Sequence, residues 1–163
     1  MGKVKIRNMV KSRVVINEPS LRMYRAWERK GAIRTIEMED LEELIYNPGV
    51  EYMFREGILV IEDPKKDEIL VKLGLQDEDG TNQIVILSEE DMKELMGATV
   101  SLATFREKIS ELPKGQLNEL VNYCVDNKIT NYEKVNILKS KTGKDILSMI
   151  RLLDADKEEV EEN

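Results

Sequence analysis

The sequence predicts an α+β fold, in which a small β-rich N-terminal part with short helices precedes a helical C-terminal part. Two patterns favour this class. Short runs in the first third of the chain alternate apolar and polar residues, as strands with one buried face do. From residue 88 onward, apolar residues recur every three or four positions, as on one face of a helix. A chain of 163 residues can bury a hydrophobic core without disulfides or metals.

The alternation predicts the strands in order. In "VKIRN", Val4 and Ile6 lie on one face of a strand, and the basic residues beside them lie on the other. Turn composition in "NEPS" ends the second run, and Gly31 separates the third run from the fourth. The continuous apolar run in "ILVIED" stops at Pro64 and is typical of a strand. The predicted strands cover residues 4–8, 13–17, 21–27, 32–36, 58–63 and 83–87.

Amphipathic spacing and capping residues predict the helices. Ser88 with Asp91, and Thr130 with Glu133, have the spacing of capping boxes. Pro113 suits the first position of a helix, because its missing N–H is not needed there. The predicted helices cover residues 38–46, 50–57, 65–75, 89–96, 102–112, 113–124, 130–138 and 146–153. The core of the helical part is predicted to include Leu120, Cys124, Ile146 and Ile150.

We expect two small domains followed by a tail. Gly97 ends the first of the later helices and marks the predicted boundary. The closing stretch "DADKEEVEEN" has too little apolar surface to offset the entropy lost on ordering. The prediction is an α+β domain over residues 1–97, a helical domain over residues 98–156 and a disordered acidic tail over residues 157–163.

The residue inventory excludes several chemistries. Histidine is absent, so a Ser-His-Asp triad, a Cys-His pair and a histidine zinc site are impossible. The single cysteine, Cys124, cannot form an intramolecular disulfide, which fits a reducing compartment. Residues 1–16 are charged throughout, and no apolar run approaches the roughly 20 residues that a membrane span needs. Carboxylate, lysine or tyrosine chemistry stays open, but no catalytic constellation can be named. We expect a cytoplasmic, non-enzymatic protein with no cofactor, no metal and no membrane partner, and a carboxylate-dependent enzyme is the weakest alternative.

Three stretches suggest ligand sites, and each has a simpler structural interpretation. "KSKTGKDI" at residues 139–146 resembles the end of a P-loop, but Leu138 stands where that loop needs glycine and Asp145 where it needs a hydroxyl. The acidic loop at residues 76–82 lacks the spaced ligands and terminal Glu of an EF-hand. Cys124 lies on the apolar stripe of its helix. We expect no nucleotide, calcium or thiol chemistry at these positions.

Positive charge is concentrated at the N-terminus. Residues 1–36 contain ten basic and two acidic side chains, so the rest of this −7 chain carries a net charge of −15. Such segregation favours an acidic partner for the basic segment, or docking of one part of the chain on another. Basic residues interleaved with aromatic ones also suit single-stranded nucleic acid, and a solvated strand face with core aromatics is the simplest alternative. The predicted partner-binding residues are Lys3, Lys5, Arg7, Lys11, Arg13, Arg22, Tyr24, Arg25 and Trp27.

The stretches "NMVKSRVVINEPSLRMYRAWERKGA" and "GVEYMFREGILVIED", followed by the charged helical end, resemble small virion structural and accessory proteins of tailed bacteriophages. The resemblance implies a non-enzymatic part that docks on a larger symmetric assembly through strand edges and helices, in the host cytoplasm and then in the virion. The resulting prediction is a protein–protein interaction module that docks through its N-terminal strands. A nucleic-acid-binding regulatory protein that uses the basic segment is the alternative.

Overall fold

The computed structural model describes residues 2–162, with side chains through Lys157. The predicted α+β class is confirmed, because antiparallel strands occupy the N-terminal part and helices follow them. The chain divides into two compact units, residues 1–85 and 86–163, which we call the strand unit and the helical unit. This division precedes the expected boundary at residue 97, because Met92, Leu95 and Met96 pack in the core of the helical unit.

The strands at residues 4–8, 13–17, 21–27, 32–36 and 58–63 are confirmed, with small shifts at their ends. They form a three-stranded antiparallel sheet of order β4-β1-β5 and a separate β2-β3 hairpin. β1 is therefore the middle strand of its sheet. The bounds are β1 (Lys3–Asn8), β2 (Val14–Glu18), β3 (Met23–Trp27), β4 (Ile33–Glu37) and β5 (Leu59–Ile61). A short 3-10 turn, Pro19–Leu21, connects β2 to β3.

One face of each sheet is buried, as alternation requires. Val4 and Ile6 of β1 and Val14 and Ile16 of β2 belong to the core of the strand unit. Trp27 of β3 is fully buried there, and its indole N–H donates to the carbonyl of Ile6 at 2.9 Å. This hydrogen bond satisfies the polar atom of a large core aromatic.

The predicted strand over residues 83–87 is wrong. That segment has no regular structure and connects the two units. Ile84 packs against the core of the strand unit, whereas Leu87 packs against the core of the helical unit. The side chains of this apolar run therefore pack in two different cores. The segment also has no strand to pair with, and an unpaired strand is not stable in water. The Leu87 N–H donates instead to the side-chain oxygen of Gln116 at 2.8 Å.

The predicted helices are present with modest changes of length. Three short ones lie in the strand unit, α1 (Met38–Leu44), α2 (Pro48–Arg55) and α3 (Lys66–Lys72). Those of the helical unit are α4 (Glu89–Met96), α5 (Leu102–Ser110), α6 (Lys114–Asp126), α7 (Tyr132–Thr142) and α8 (Ile146–Glu162). The predicted core residues Leu120, Cys124, Ile146 and Ile150 are all buried.

The helix caps agree with the sequence at one position and differ at another. Ser88 and Asp91 form the predicted capping box at the start of α4. The N-cap of α7 lies one residue later than predicted, because Asn131 rather than Thr130 accepts the N–H of Lys134. An asparagine is at least as good an N-cap as a threonine.

α8 runs further than the sequence predicted. Its backbone is helical to Glu162, through most of the acidic tail at residues 157–163 that we expected to be disordered. The side chains of residues 158–163 lie outside the described residues. Among the described side chains of this helix, which end at Lys157, Ile150 is the last buried one, and Leu152 and Leu153 are exposed.

Candidate functional site

The predicted partner-binding residues lie in the strand unit, but the structure separates them. Lys3, Lys5 and Arg7 point to the outer face of β1. Because β1 is the middle strand of its sheet, it cannot provide the free docking edge that we expected from the N-terminal strands. Trp27 is a fully buried core residue, so we remove it from the candidate surface.

Two of the candidate arginines are held by carboxylates of the same unit. Arg7 forms a bidentate ion pair with Glu62, with N–O distances of 2.7 and 3.0 Å. These hydrogen bonds raise the pKa of Arg7 and lower the pKa of Glu62. Arg13 pairs with Glu28 at 2.8 Å and donates to the hydroxyl of Tyr24 at 2.8 Å, which raises the pKa of Arg13. Part of the charge segregation is thus balanced inside the strand unit, whose residues 37–85 contain fourteen acidic and four basic side chains.

Two other arginines occupy the facing edges of β3 and β4. Arg25, on β3, donates to one carbonyl of β4 and to one of its own strand. Arg34, on β4, donates to one carbonyl of β3 and to one of its own strand. The acceptors are the carbonyls of Tyr24, Ala26, Ile33 and Thr35, at 3.0, 3.0, 3.2 and 3.4 Å. Because these edge carbonyls already have donors, a further strand cannot pair there without displacing both arginines.

The outer edge of β2 is open. In an antiparallel strand, the backbone N–H and C=O groups of successive residues point to opposite edges. The carbonyls of Tyr24 and Ala26 point toward Arg25 and Arg34, away from β2. The backbone groups of the residue between them, and of the residues on either side, therefore point toward β2. The register then directs the backbone groups of Val15 and Asn17 to the outer edge of β2. No other strand of the described chain pairs with that edge.

The outer edge of β5 is covered. The hydrogen bonds between β1 and β5 involve Ile58 and Glu62, so Leu59 and Ile61 direct their backbone groups away from β1. Leu59 is fully buried and Ile61 nearly so. Within the described residues, β2 is therefore the strand whose edge combines exposure with the absence of a partner.

Sequence reasoning missed the residues that define this edge. Val15 and Asn17 contribute through their backbone, which residue type does not reveal. Arg34 was excluded from the candidate residues although it closes an edge. Knowing that Val15 lies opposite Ala26 would have identified this edge, because the pairing register decides which backbone groups of β2 point away from β3.

The stretch at residues 139–146 forms a turn between two helices. Gly143 follows α7 in the left-handed region, with φ of +74°, where glycine is favoured. The Asp145 carboxylate accepts the N–H of Ser148 in the first turn of α8 and pairs with Lys139 at 3.2 Å. The Thr142 hydroxyl donates to the carbonyl of Leu138 and accepts the N–H of Lys144, so it supports the turn and does not cap α8. A helix precedes the glycine where a P-loop needs a strand.

The acidic loop uses its carboxylates to close itself. Asp77 accepts from the side chain of Asn82 at 2.8 Å, and its carboxylate lies 3.0 Å from the Thr81 hydroxyl oxygen. Asp79 accepts from the hydroxyl and the N–H of Thr81, and these hydrogen bonds lower the pKa of Asp79. Cys124 is fully buried, and burial raises its pKa to about 12. A thiol in that state is protonated and unreactive at neutral pH.

The helical unit contains a buried lysine that the sequence did not single out. Lys134 is only 3% exposed, and its ammonium donates to the carbonyls of Leu95 and Gly97 at 2.9 and 2.5 Å. It also lies 5.4 Å from the centre of the Phe105 ring. Burial lowers the pKa of Lys134. The side chain thus caps the C-terminal end of α4 from the neighbouring helix α7.

Comparison with known proteins identifies no relative. No protein family, no curated protein and no solved structure matches this chain. Across the described residues, none of the helices combines the length and the apolar character required to cross a membrane. In the same part of the chain, no three Cys, Asp or Glu side chains are grouped so that they could hold a metal ion.

Proposed function

We propose that this protein is a non-enzymatic protein–protein interaction module that accepts an extended segment of a partner at the open edge of β2. The observation that carries the proposal is the contrast between strand edges. The carbonyls at the free edges of β3 and β4 are bonded by arginine side chains, and the outer edge of β5 is buried. The edge of β2 offers the backbone groups of Val15 and Asn17 to a new strand.

The partner segment is acidic. Lys11 and Arg13 precede β2 and are exposed, so they flank the start of the open edge. A carboxylate on the incoming strand would meet the basic side chains of Lys11 and Arg13 there, of which Arg13 is bonded to Glu28. Backbone hydrogen bonds supply affinity in strand addition, and the flanking charges supply specificity and on-rate.

A protein partner is favoured over single-stranded nucleic acid. Nucleic-acid binding of that kind needs exposed aromatic rings on which bases can stack. Of the two aromatic residues in the basic segment, Trp27 is buried, which leaves Tyr24, at 53% exposed, as the one ring there on which a base could stack. The net charge of −7 also opposes long-range attraction of a polyanion. An assembly role in a tailed-phage virion, with many copies docked on a symmetric structure, stays part of this proposal on the resemblance alone.

A peptide-library selection with matched proline variants tests the proposal. Val15→Pro removes an N–H that points to the open edge and leaves the bonds between β2 and β3 intact, because proline is tolerated where a strand faces solvent. Thr35→Pro is the control, since Thr35 points to the edge that Arg25 and Arg34 fill. Random peptides displayed on beads are selected on the wild-type protein and measured on both variants.

We expect enriched acidic peptides that bind wild-type protein and Thr35→Pro equally and fail to bind Val15→Pro. Circular dichroism and thermal melting must show that both variants fold. Enrichment that survives Val15→Pro would overturn the proposal, as would no enrichment at all. Saturable binding of a single-stranded oligonucleotide at 0.15 M salt, lost on Lys11→Glu, would favour the nucleic-acid alternative.

A further inference from the structure

The turn between β2 and β3 holds an arginine in an unfavourable backbone conformation. Arg22 has φ of +50° and ψ of +38°, the left-handed region that costs a residue with a Cβ roughly 1 kcal/mol and that glycine or asparagine usually occupies. Its guanidinium has no hydrogen-bond or ion-pair partner among the described residues. Among the described residues, no side-chain hydrogen bond or ion pair thus offsets this strain.

An exposed tyrosine lies at the same end of the hairpin. The Glu18 carboxylate, at the end of β2, accepts from the Asn47 side chain at 3.3 Å and from the Ser20 hydroxyl at 2.7 Å. These contacts hold the β2-β3 turn against the corner between α1 and α2. Tyr46, next to Asn47, is 86% exposed. We call Glu18, Ser20, Arg22, Tyr46 and Asn47 the hairpin corner.

The charges of the hairpin corner leave Arg22 available. Glu18 bonds Ser20 and Asn47 rather than Arg22, and these hydrogen bonds lower the pKa of Glu18. Glu18 is therefore a fixed support of the corner. Arginine and tyrosine are the side chains most enriched at the energetic centres of protein interfaces. The guanidinium fork matches a carboxylate with two parallel hydrogen bonds.

We propose that the hairpin corner binds an Asp or Glu side chain of the same partner segment that pairs with β2, with Arg22 as the carboxylate ligand and Tyr46 as the surface against which that residue packs. This inference rests on the proposed function, because the corner lies at the end of the open edge. It adds a specificity determinant, namely an acidic residue beyond the segment that pairs with Val15 and Asn17.

The test measures binding of one library-selected acidic peptide and of its amide analogue, in which each Asp is replaced by Asn and each Glu by Gln. Arg22→Gly removes the guanidinium and relieves the left-handed strain, so it should not lower the melting temperature. Lys128→Gly is the matched control, because Lys128 is also a basic residue with positive φ (+53°), located in the helical unit. Tyr46→Ala is compared with Tyr132→Ala, whose side chain is also exposed.

Arg22→Gly should lower the affinity for the acidic peptide by about ten- to hundredfold. It should change the affinity for the amide analogue by less than about twofold. Tyr46→Ala should lower the affinity for both peptides. The control variants Lys128→Gly and Tyr132→Ala should leave both affinities unchanged. If Val15→Pro abolishes binding but Arg22→Gly keeps the preference for the acidic peptide, this inference fails and the proposed function stands. If Val15→Pro has no effect, the proposed function itself fails.

Discussion

Both units of this protein place cations against backbone carbonyls, but they do so in opposite environments. In the strand unit, Arg25 and Arg34 bond carbonyls at exposed strand edges. In the helical unit, Lys134 is buried and bonds the carbonyls of Leu95, in the last turn of α4, and of Gly97, just after it. The first arrangement closes two strand edges to further strand pairing. The second decides whether two helices stay together.

The difference shows that basic residues of this sequence have several distinct structural roles. Arg7 and Arg13 are paired with acids, Arg25 and Arg34 close edges, and Lys134 supports a core. A count of positive charges predicts none of these roles. The exposed cations that have no acidic partner are then the ones worth testing for binding.

The largest expected effect concerns the core of the helical unit. Leu120→Ala should lower the free energy of unfolding by about 2–5 kcal/mol, because it opens a cavity at a fully buried position of α6. Leu152→Ala is the same change at a side chain that is 66% exposed. Chemical denaturation of both variants measures the difference. Equal losses would mean that α6 does not form the interior described here.

The next effect tests the buried cation. Lys134→Met keeps the apolar part of the side chain but leaves the carbonyls of Leu95 and Gly97 without their donor. We expect a loss of about 1–3 kcal/mol in the free energy of unfolding. Lys141→Met, on the exposed side of the same helix, should change it by less than about 0.5 kcal/mol. A neutral or stabilising Lys134→Met would show that the capping bonds contribute nothing net.

The corresponding change in the strand unit should be smaller. Arg34→Met removes hydrogen bonds at an exposed edge, so we expect a loss of about 1 kcal/mol or less, with Arg29→Met as the exposed control. The variant also uncovers edge carbonyls, which should increase self-association at high protein concentration. Light scattering during a concentration series measures this. An unchanged scattering profile would contradict the edge-closing role of Arg34.

The pH dependence of stability separates the two environments further. The folded-state pKa of Lys134 lies below its usual value of 10.5, so in the window between them the unfolded chain binds more protons. The free energy of unfolding of the wild type, relative to Lys134→Met, should therefore rise with pH through that window. The neutral amine keeps two N–H groups, enough for both carbonyls. Urea titrations from pH 8 to 11 measure the trend, and a falling difference would contradict the sign.

Elements with strong periodicity were predictable from the sequence. The strand bearing Val4 and Ile6 and the helix bearing Leu120 and Cys124 follow from alternation and helical spacing, because one face of each is buried. The strand predicted at residues 83–87 failed for a physical reason. An apolar run does not reveal whether its side chains enter one core or two.

The candidate site was predictable only in part. The sequence directed the candidate surface to the basic N-terminal strands, but it could not identify the open edge, which depends on strand order and register. It included Trp27, because an aromatic residue beside arginines looks the same whether exposed or buried. It gave no signal for Lys134, whose role depends on a contact with α4 that is distant in sequence.

Amide hydrogen exchange along β2, followed by NMR in the free protein, tests the central claim most directly. The N–H groups of Val14 and Ile16 bond to β3 and should exchange slowly, whereas those of Val15 and Asn17 point to the open edge and should exchange quickly. Alternating fast and slow exchange is the predicted result. Protection of Val15 and Asn17 equal to that of their neighbours would show that the edge is already occupied, and it would contradict the account of how this protein meets its partner.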